Sequence, residues 1–141
     1  MPALKTAGYS GAPLAKKLGL KDGFKIRLVD APAHYRALFD DWPKGITQTN
    51  DAAVKKDFIH SFTLDAAALR HSLPALKKEM APAASLWISW PKKAAKVATD
   101  VTENIIRDAA LAIGLVDVKV CAVDEIWSGL KLVIPVKDRG A

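Results

Sequence analysis

The segment from residue 85 to residue 134 constrains the fold more than any other part of this chain. Residues 86–90 (Leu-Trp-Ile-Ser-Trp) read as a strand, because Leu86, Ile88 and Trp90 alternate with Trp87 and Ser89. Pro91 and the lysines after it form a basic loop. An amphipathic helix follows, with Val101, Ile105, Ala109 and Ala112 as its buried stripe. Asp100 stands three residues before Glu103, the spacing of an acidic capping box, and Gly114 supplies a stop. Val116, Val118, Val120 and Ala122 then alternate with polar residues, and Leu130, Leu132 and Ile134 do so again after a turn expected at Ser128-Gly129. A strand, a covering helix and a closing antiparallel hairpin are how an open α/β sheet ends.

The upstream elements suit the same architecture. Residues 13–18 have helical spacing, with Pro13 in the first turn and Gly19 as a stop. Residues 24–29 alternate as a strand that Asp30-Ala31-Pro32 ends, and residues 33–39 predict a helix displaying Tyr35, Leu38 and Phe39. Residues 45–49 form a weak strand suited to an edge, and residues 58–62 a better one. Asp65 caps a helix over 66–80 with Leu69, Leu73, Leu76 and Met80 on one stripe, which Pro74 should kink or divide near residues 70–71. Right-handed crossovers then place helices on both faces of a mostly parallel six-stranded sheet. The expected order is 2-1-3-4-6-5, with the last strand antiparallel between the fourth and fifth.

Composition bounds the remainder. A chain of 141 residues, 50% hydrophobic, is long enough for one complete core and too short for two ordinary domains. We expect a flexible arm over 1–8, a single α/β domain over 9–136 and a tail over 137–141. The long uncharged run, residues 81–91, is broken by Pro82 and falls short of the ~20 apolar residues of a membrane span. The first residues alternate small, polar and basic types, unlike a secretory leader, and a lone Cys121 forms no internal disulfide, so a cytoplasmic protein is expected. The formal charge of +6 favours anionic partners. Its lysines, however, fall in separate pairs (16–17, 55–56, 77–78, 92–93), which read as solvated surface and not as a nucleic-acid stripe.

This element order resembles the Rossmann-like sheet of class I methyltransferases, reduced at its front, over about residues 24–136. At the level of sequence, residues 9–19 (Tyr-Ser-Gly-Ala-Pro-Leu-Ala-Lys-Lys-Leu-Gly), 89–93 (Ser-Trp-Pro-Lys-Lys), 98–103 and 114–131 resemble a family of short bacterial proteins catalogued as a domain of unknown function. That family brings no established reaction, cofactor or catalytic residue. The methyltransferase resemblance implies glycines directly after the first strand, where backbone and a helix amino end approach a cofactor. Here residues 29–34 read Val-Asp-Ala-Pro-Ala-His, and neither G-x-G nor G-x-x-x-x-G-K occurs in the chain. The cofactor is therefore left unidentified.

In an open α/β sheet ligands bind beyond the carboxyl ends of the strands where strand order reverses, here between the first and third strands. The candidate ligand-binding residues are Asp30, His34, Thr63, Trp90, Lys92, Lys93, Thr99, Asp124 and Trp127. Asp30 is a ligand contact or general base, or simply a turn former. His34 is an acid–base group or a surface histidine. Lys92 and Lys93, with Lys96, hold a phosphate or carboxylate before a helix start, or form a solvated loop whose helix amides Asp100 already uses. Trp90 and Trp127 fall at strand ends and border a crevice, whereas Trp87 belongs to the core. Asp124 and Glu125 also suit a salt bridge to Lys92 or Lys131. His60 reads as a hydrogen-bonded core residue, His71 as exposed and Cys121 as a buried inert thiol. The 3 histidines and 1 cysteine lack the paired spacing of metal ligands.

From this we expect a non-catalytic or regulatory binding module that holds a small anion, a nucleotide or a protein partner. The alternatives are a small enzyme of methyltransferase-like fold with Asp30 or His34 as acid or base, and a weak nucleic-acid binder.

Overall fold

Six strands form one sheet in the order β2-β1-β3-β4-β6-β5 in a computed structural model that describes residues 13–140. The strands are β1 (Lys25–Val29), β2 (Thr47–Gln48), β3 (Lys56–Phe62), β4 (Met80–Pro91), β5 (Val116–Ala122) and β6 (Trp127–Val133). The first four are mutually parallel, and β6 runs antiparallel to both β4 and β5. The expected strand order and the antiparallel final strand are therefore both present. The arm expected over 1–8, the domain start at Tyr9, and Ala141 of the tail lie outside the described residues.

Strand alternation divides the core in two. Ile59, Leu86, Ile88, Leu130 and Leu132 face α2 (Ala66–Lys78) and α3 (Glu103–Leu111), and all five are fully buried. Ile26, Phe58, Phe62 and Trp87 face α1 (Leu14–Leu18) and a single 3-10 turn, Tyr35–Leu38. The result is three layers, with β3 and β4 buried on both faces, which is why their sequences carry long apolar runs.

Several local expectations change. The helix expected over 33–39 is only the turn Tyr35–Leu38, because Phe39 is already extended and Asp41 is drawn away to accept from the Ala15 and Lys16 amides at the start of α1. Pro74 does not divide α2, which runs through it with Pro74 on the solvent side. Strand β4 begins earlier than expected because Lys56 already pairs with Met80; the register then shifts before Phe58 pairs with Ser85. Asp100 does not cap α3. Thr102 does, accepting from Ile105 N, while Asp100 reaches across to accept from Ala66 N at 2.7 Å. The α3 stripe is correspondingly rotated, with Ile106 and Ala110 fully buried and Ala112 exposed.

The closing hairpin also turns earlier than expected. Asp124 Oδ1 accepts from Ile126 N (2.8 Å) and Trp127 N (2.7 Å), which fixes the turn at 124–126 and leaves Ser128 and Gly129 inside β6. Gly129 is required there by close approach: a Cβ would meet Trp87 Cε3 at 3.0 Å. The edge strand β5 carries a bulge between Asp117 and Lys119 against β6, and Val118 and Val120 are 55% and 47% exposed on this open border.

Candidate functional site

The carboxyl ends of β1, β3 and β4 and the start of β6 lie at one edge of the sheet, as the pairings Val29↔Ser61, Phe62↔Ser89 and Pro91↔Trp127 require. At the end of β1, Asp30 is exposed and holds a left-handed backbone (φ 55°), the conformation glycine supplies without strain. A non-glycine residue in this region at a strand end is the kind of strain that clusters at ligand sites. The chain then closes over the sheet through Tyr35, which is buried.

His34 precedes that turn, and its Nε2 lies 3.3 Å from Asp124 Oδ2. The histidine side chain is 53% exposed and the aspartate 7%. Asp124 Oδ1 is already fixed by the two amides of the hairpin turn, so the carboxylate is held in place and aims its second oxygen at the imidazole. In the neutral ring Nε2–H donates to Asp124, which leaves the lone pair on Nδ1. This is the arrangement by which a carboxylate orients a histidine for proton transfer. It joins residues 90 positions apart in sequence.

Beneath the pair lies a buried polar relay that the sequence only half disclosed. Tyr35 Oη is 2.9 Å from His60 Nδ1, and His60 Nε2 is 2.7 Å from Ser89 Oγ. His60 is fully buried, and that burial pushes its pKa down to about 3, so it stays neutral. Burial likewise pushes the Tyr35 phenol up. His60 stacks on Phe62 at 4.3 Å between centroids, and Phe62 meets the edge of Trp127 at 5.0 Å. An alternating strand signals that His60 is internal, but nothing local to it names Tyr35 or Ser89 as partners.

The candidate residues do not form one group. Trp127 packs on the α1 side of the sheet and Trp90 on the α2–α3 side, so the two cannot wall a single crevice. His34, Asp124 and Trp127 gather on the first side. On the second, Thr63 Oγ1 donates to Asp65 O, Thr99 Oγ1 donates to Leu64 O, and Asp65 and Asp100 accept from the first amides of α2. Thr99 and Asp100 thereby staple the 92–102 loop to the start of α2, while the Thr63 bond stays within the turn before that helix. Lys92 donates its backbone amide to Ile126 O, and Lys93 opens the one-turn helix Lys93–Ala95, eight residues or more before α3.

Three other sequence readings have clear locations. Trp87 is fully buried and its Nε1 donates to Leu18 O, and His71 is exposed. Cys121 is half-buried on the α1 side, and burial, more than the nearby Lys17 and Lys119 charges oppose it, pushes the thiol up. Far from the candidate edge, fully buried Lys56 pairs with Glu79 at 2.6 Å, and Arg27 joins the same carboxylate. Among the described residues no helix is long and apolar enough to cross a membrane, and no group of three or more His, Cys, Asp or Glu is placed to hold a metal.

No family model matches the chain, and no curated protein matches its sequence. Solved structures do match its fold. The chain superposes on a ribosomal protein L11 methylase from Lactobacillus delbrueckii subsp. bulgaricus with TM-score 0.57 and 12% identity, covering 86% of this chain and 74% of the other. A SAM dependent methyltransferase from Aquifex aeolicus gives TM-score 0.57 and 15% identity over 86% and 88% of the two chains. Aeropyrum pernix fibrillarin, in complex with S-adenosyl-L-methionine, gives 0.53 and 11% over 94% and 72%. At these identities the likeness is one of fold, that of the methyltransferase-like Rossmann sheet.

Proposed function

We propose that the protein binds a small ligand of the S-adenosyl class at the carboxyl edge, on the α1 side of the sheet, and that His34 accepts a proton from the group being methylated. The observation that carries this reading is the His34–Asp124 pair, an exposed imidazole oriented by a buried, doubly anchored carboxylate. The fold is consistent with it, since the proteins that share it include methyltransferases.

The residues at this edge fit such a ligand by chemistry, although not through a glycine loop. An S-adenosyl group carries a sulfonium, an ammonium and a ribose diol, all of which a carboxylate complements. Asp30 offers one in the left-handed conformation that a glycine would otherwise provide. Trp127, half-buried beside Phe62, offers an aromatic edge for a flat base. Bound S-adenosylmethionine supplies an electrophilic methyl group. The chain's own contribution is then proton management: Nδ1 of His34 takes the proton from the substrate nucleophile, and the resulting imidazolium remains paired with Asp124.

Titration calorimetry with S-adenosylmethionine tests binding, and single-turnover methyl transfer tests the chemistry. Asp30→Asn weakens binding. His34→Ala keeps binding and loses transfer by about 10²–10⁴-fold, the ordinary contribution of a positioned acid–base group. Absence of binding to the folded wild-type chain at millimolar ligand rejects the reading.

A second reading is favoured by one specific observation. The usual glycine turn and long helix after β1 are replaced by Asp30-Ala31-Pro32 and a single 3-10 turn sealed by Tyr35. A regulatory module that holds a small anion, a nucleotide or a protein partner without catalysis needs no closer backbone approach. It predicts thermal stabilisation by a nucleotide or anion, lost in a Lys92→Ala/Lys93→Ala double variant, with no turnover in either protein.

A further inference from the structure

Lysines that are scattered along the sequence converge in space on the α1 side of the β5–β6 hairpin. Lys119 and Lys131 stand directly opposite each other in the ladder. Lys119 Nζ donates to Lys17 O at 2.9 Å, and Lys17 Nζ donates to Ala122 O at 3.2 Å, so the Lys17 side chain crosses the same strand. Lys131 Nζ lies against the end of α1, 3.9 Å from where a Cβ on Gly19 would stand. Partial burial, then the charges of Lys119, Lys21 and Arg139, hold the Lys131 ammonium below its ordinary pKa.

These cations have little local compensation. The ion pairs formed among the described residues involve Arg27, His34, Lys56 and Arg107, and none of these five. The acidic neighbours in sequence, Asp22 and Asp138, form no ion pair with them among the described residues. Residues 1–12 contain no Asp or Glu. Like charges directly opposed on a ladder weaken it, so the cluster costs stability that an anion would restore.

We infer that this patch is a binding site for a compact polyanion carrying phosphate groups, of the inorganic or nucleoside polyphosphate class. Compactness follows from the arrangement. Lys119 faces Lys131 across the ladder and reaches the Lys17 carbonyl at the end of α1, whereas a nucleic-acid backbone calls for an extended stripe of contacts. The site lies on the hairpin flank beside α1 and does not use the His34–Asp124 pair.

The test is titration of the full chain with inorganic tripolyphosphate, ATP and AMP at low salt. Tripolyphosphate and ATP bind, AMP binds at least tenfold more weakly, and affinity falls as salt is added. Lys131→Gln and Lys119→Gln each weaken tripolyphosphate binding at least tenfold, while Lys78→Gln, on the other side of the molecule, stays within about twofold of wild type. Thermal melts keep the proposal separate from misfolding: Lys131→Gln melts at or above the wild-type temperature without anion and no longer gains from tripolyphosphate. The inference is overturned by failure of wild type to bind tripolyphosphate, or by an equal loss in Lys78→Gln. It is also overturned by ATP binding that survives both patch substitutions, or by an oligonucleotide that tripolyphosphate cannot displace.

Discussion

His60 ties part of the chain's acid response to one buried imidazole. Its pKa lies near 3 in the fold because burial disfavours the imidazolium, against ~6.5 in the unfolded chain. The unfolded state therefore binds the extra proton first. The stability associated with neutral His60 is fully present above pH ~6.5 and is lost as pH falls from there toward 3, at up to about 1.4 kcal/mol per pH unit. Urea denaturation at pH 7 and pH 4.5 checks this, and His60→Gln flattens the difference between the two. Gly129 makes a second single-atom prediction. The Cβ of Gly129→Ala meets the fixed Trp87 ring at 3.0 Å, and the variant loses about 1–3 kcal/mol in the same assay. Both residues were visible in the sequence, His60 as an internal polar position and Gly129 as a glycine. Alone, Gly129 signals a turn, because a sequence shows conformational freedom but not the ring lying across the strand.

At the scale of elements, the periodic segments were legible and the connections were not. Strand β3 and helices α2 and α3 appear where alternation or helical spacing put them; α2 buries the stripe its residues declare, whereas α3 buries one rotated from it. The helix expected after β1 shrank to one turn because Asp41 serves a distant helix, and the α3 cap moved because Asp100 serves α2. In both cases a short polar side chain had an alternative partner far away in sequence. Asp100→Ala separates the two readings. It costs about 1 kcal/mol, and hydrogen exchange quickens at the Ala66 amide while the first turn of α3 keeps its protection. Faster exchange confined to α3 would restore the local capping box.

For the whole molecule, strand order followed from handed crossovers and element sequence, so the sheet could be written before any contact was known. The candidate site was legible only as an edge. Knowing that nine residues fall near the carboxyl ends does not tell which face each occupies, and the register settles that by sending Trp90 and Trp127 to opposite sides. A ligand entering beside His34 consequently changes the emission of Trp127 and not that of Trp90. The fluorescence response should survive Trp90→Phe and vanish in Trp127→Phe. The bulge between Asp117 and Lys119 acts at the same scale. A sheet that ends in a straight apolar strand invites the next chain to add another, and repeated addition is the route to fibres. Here the outermost strand is kinked at its middle and carries Lys119 beside the kink, so the exposed Val118 and Val120 do not become a template. Removing the extra residue by deleting Val118 would straighten that border and turn a self-limiting sheet into one that grows with protein concentration, as light scattering would record.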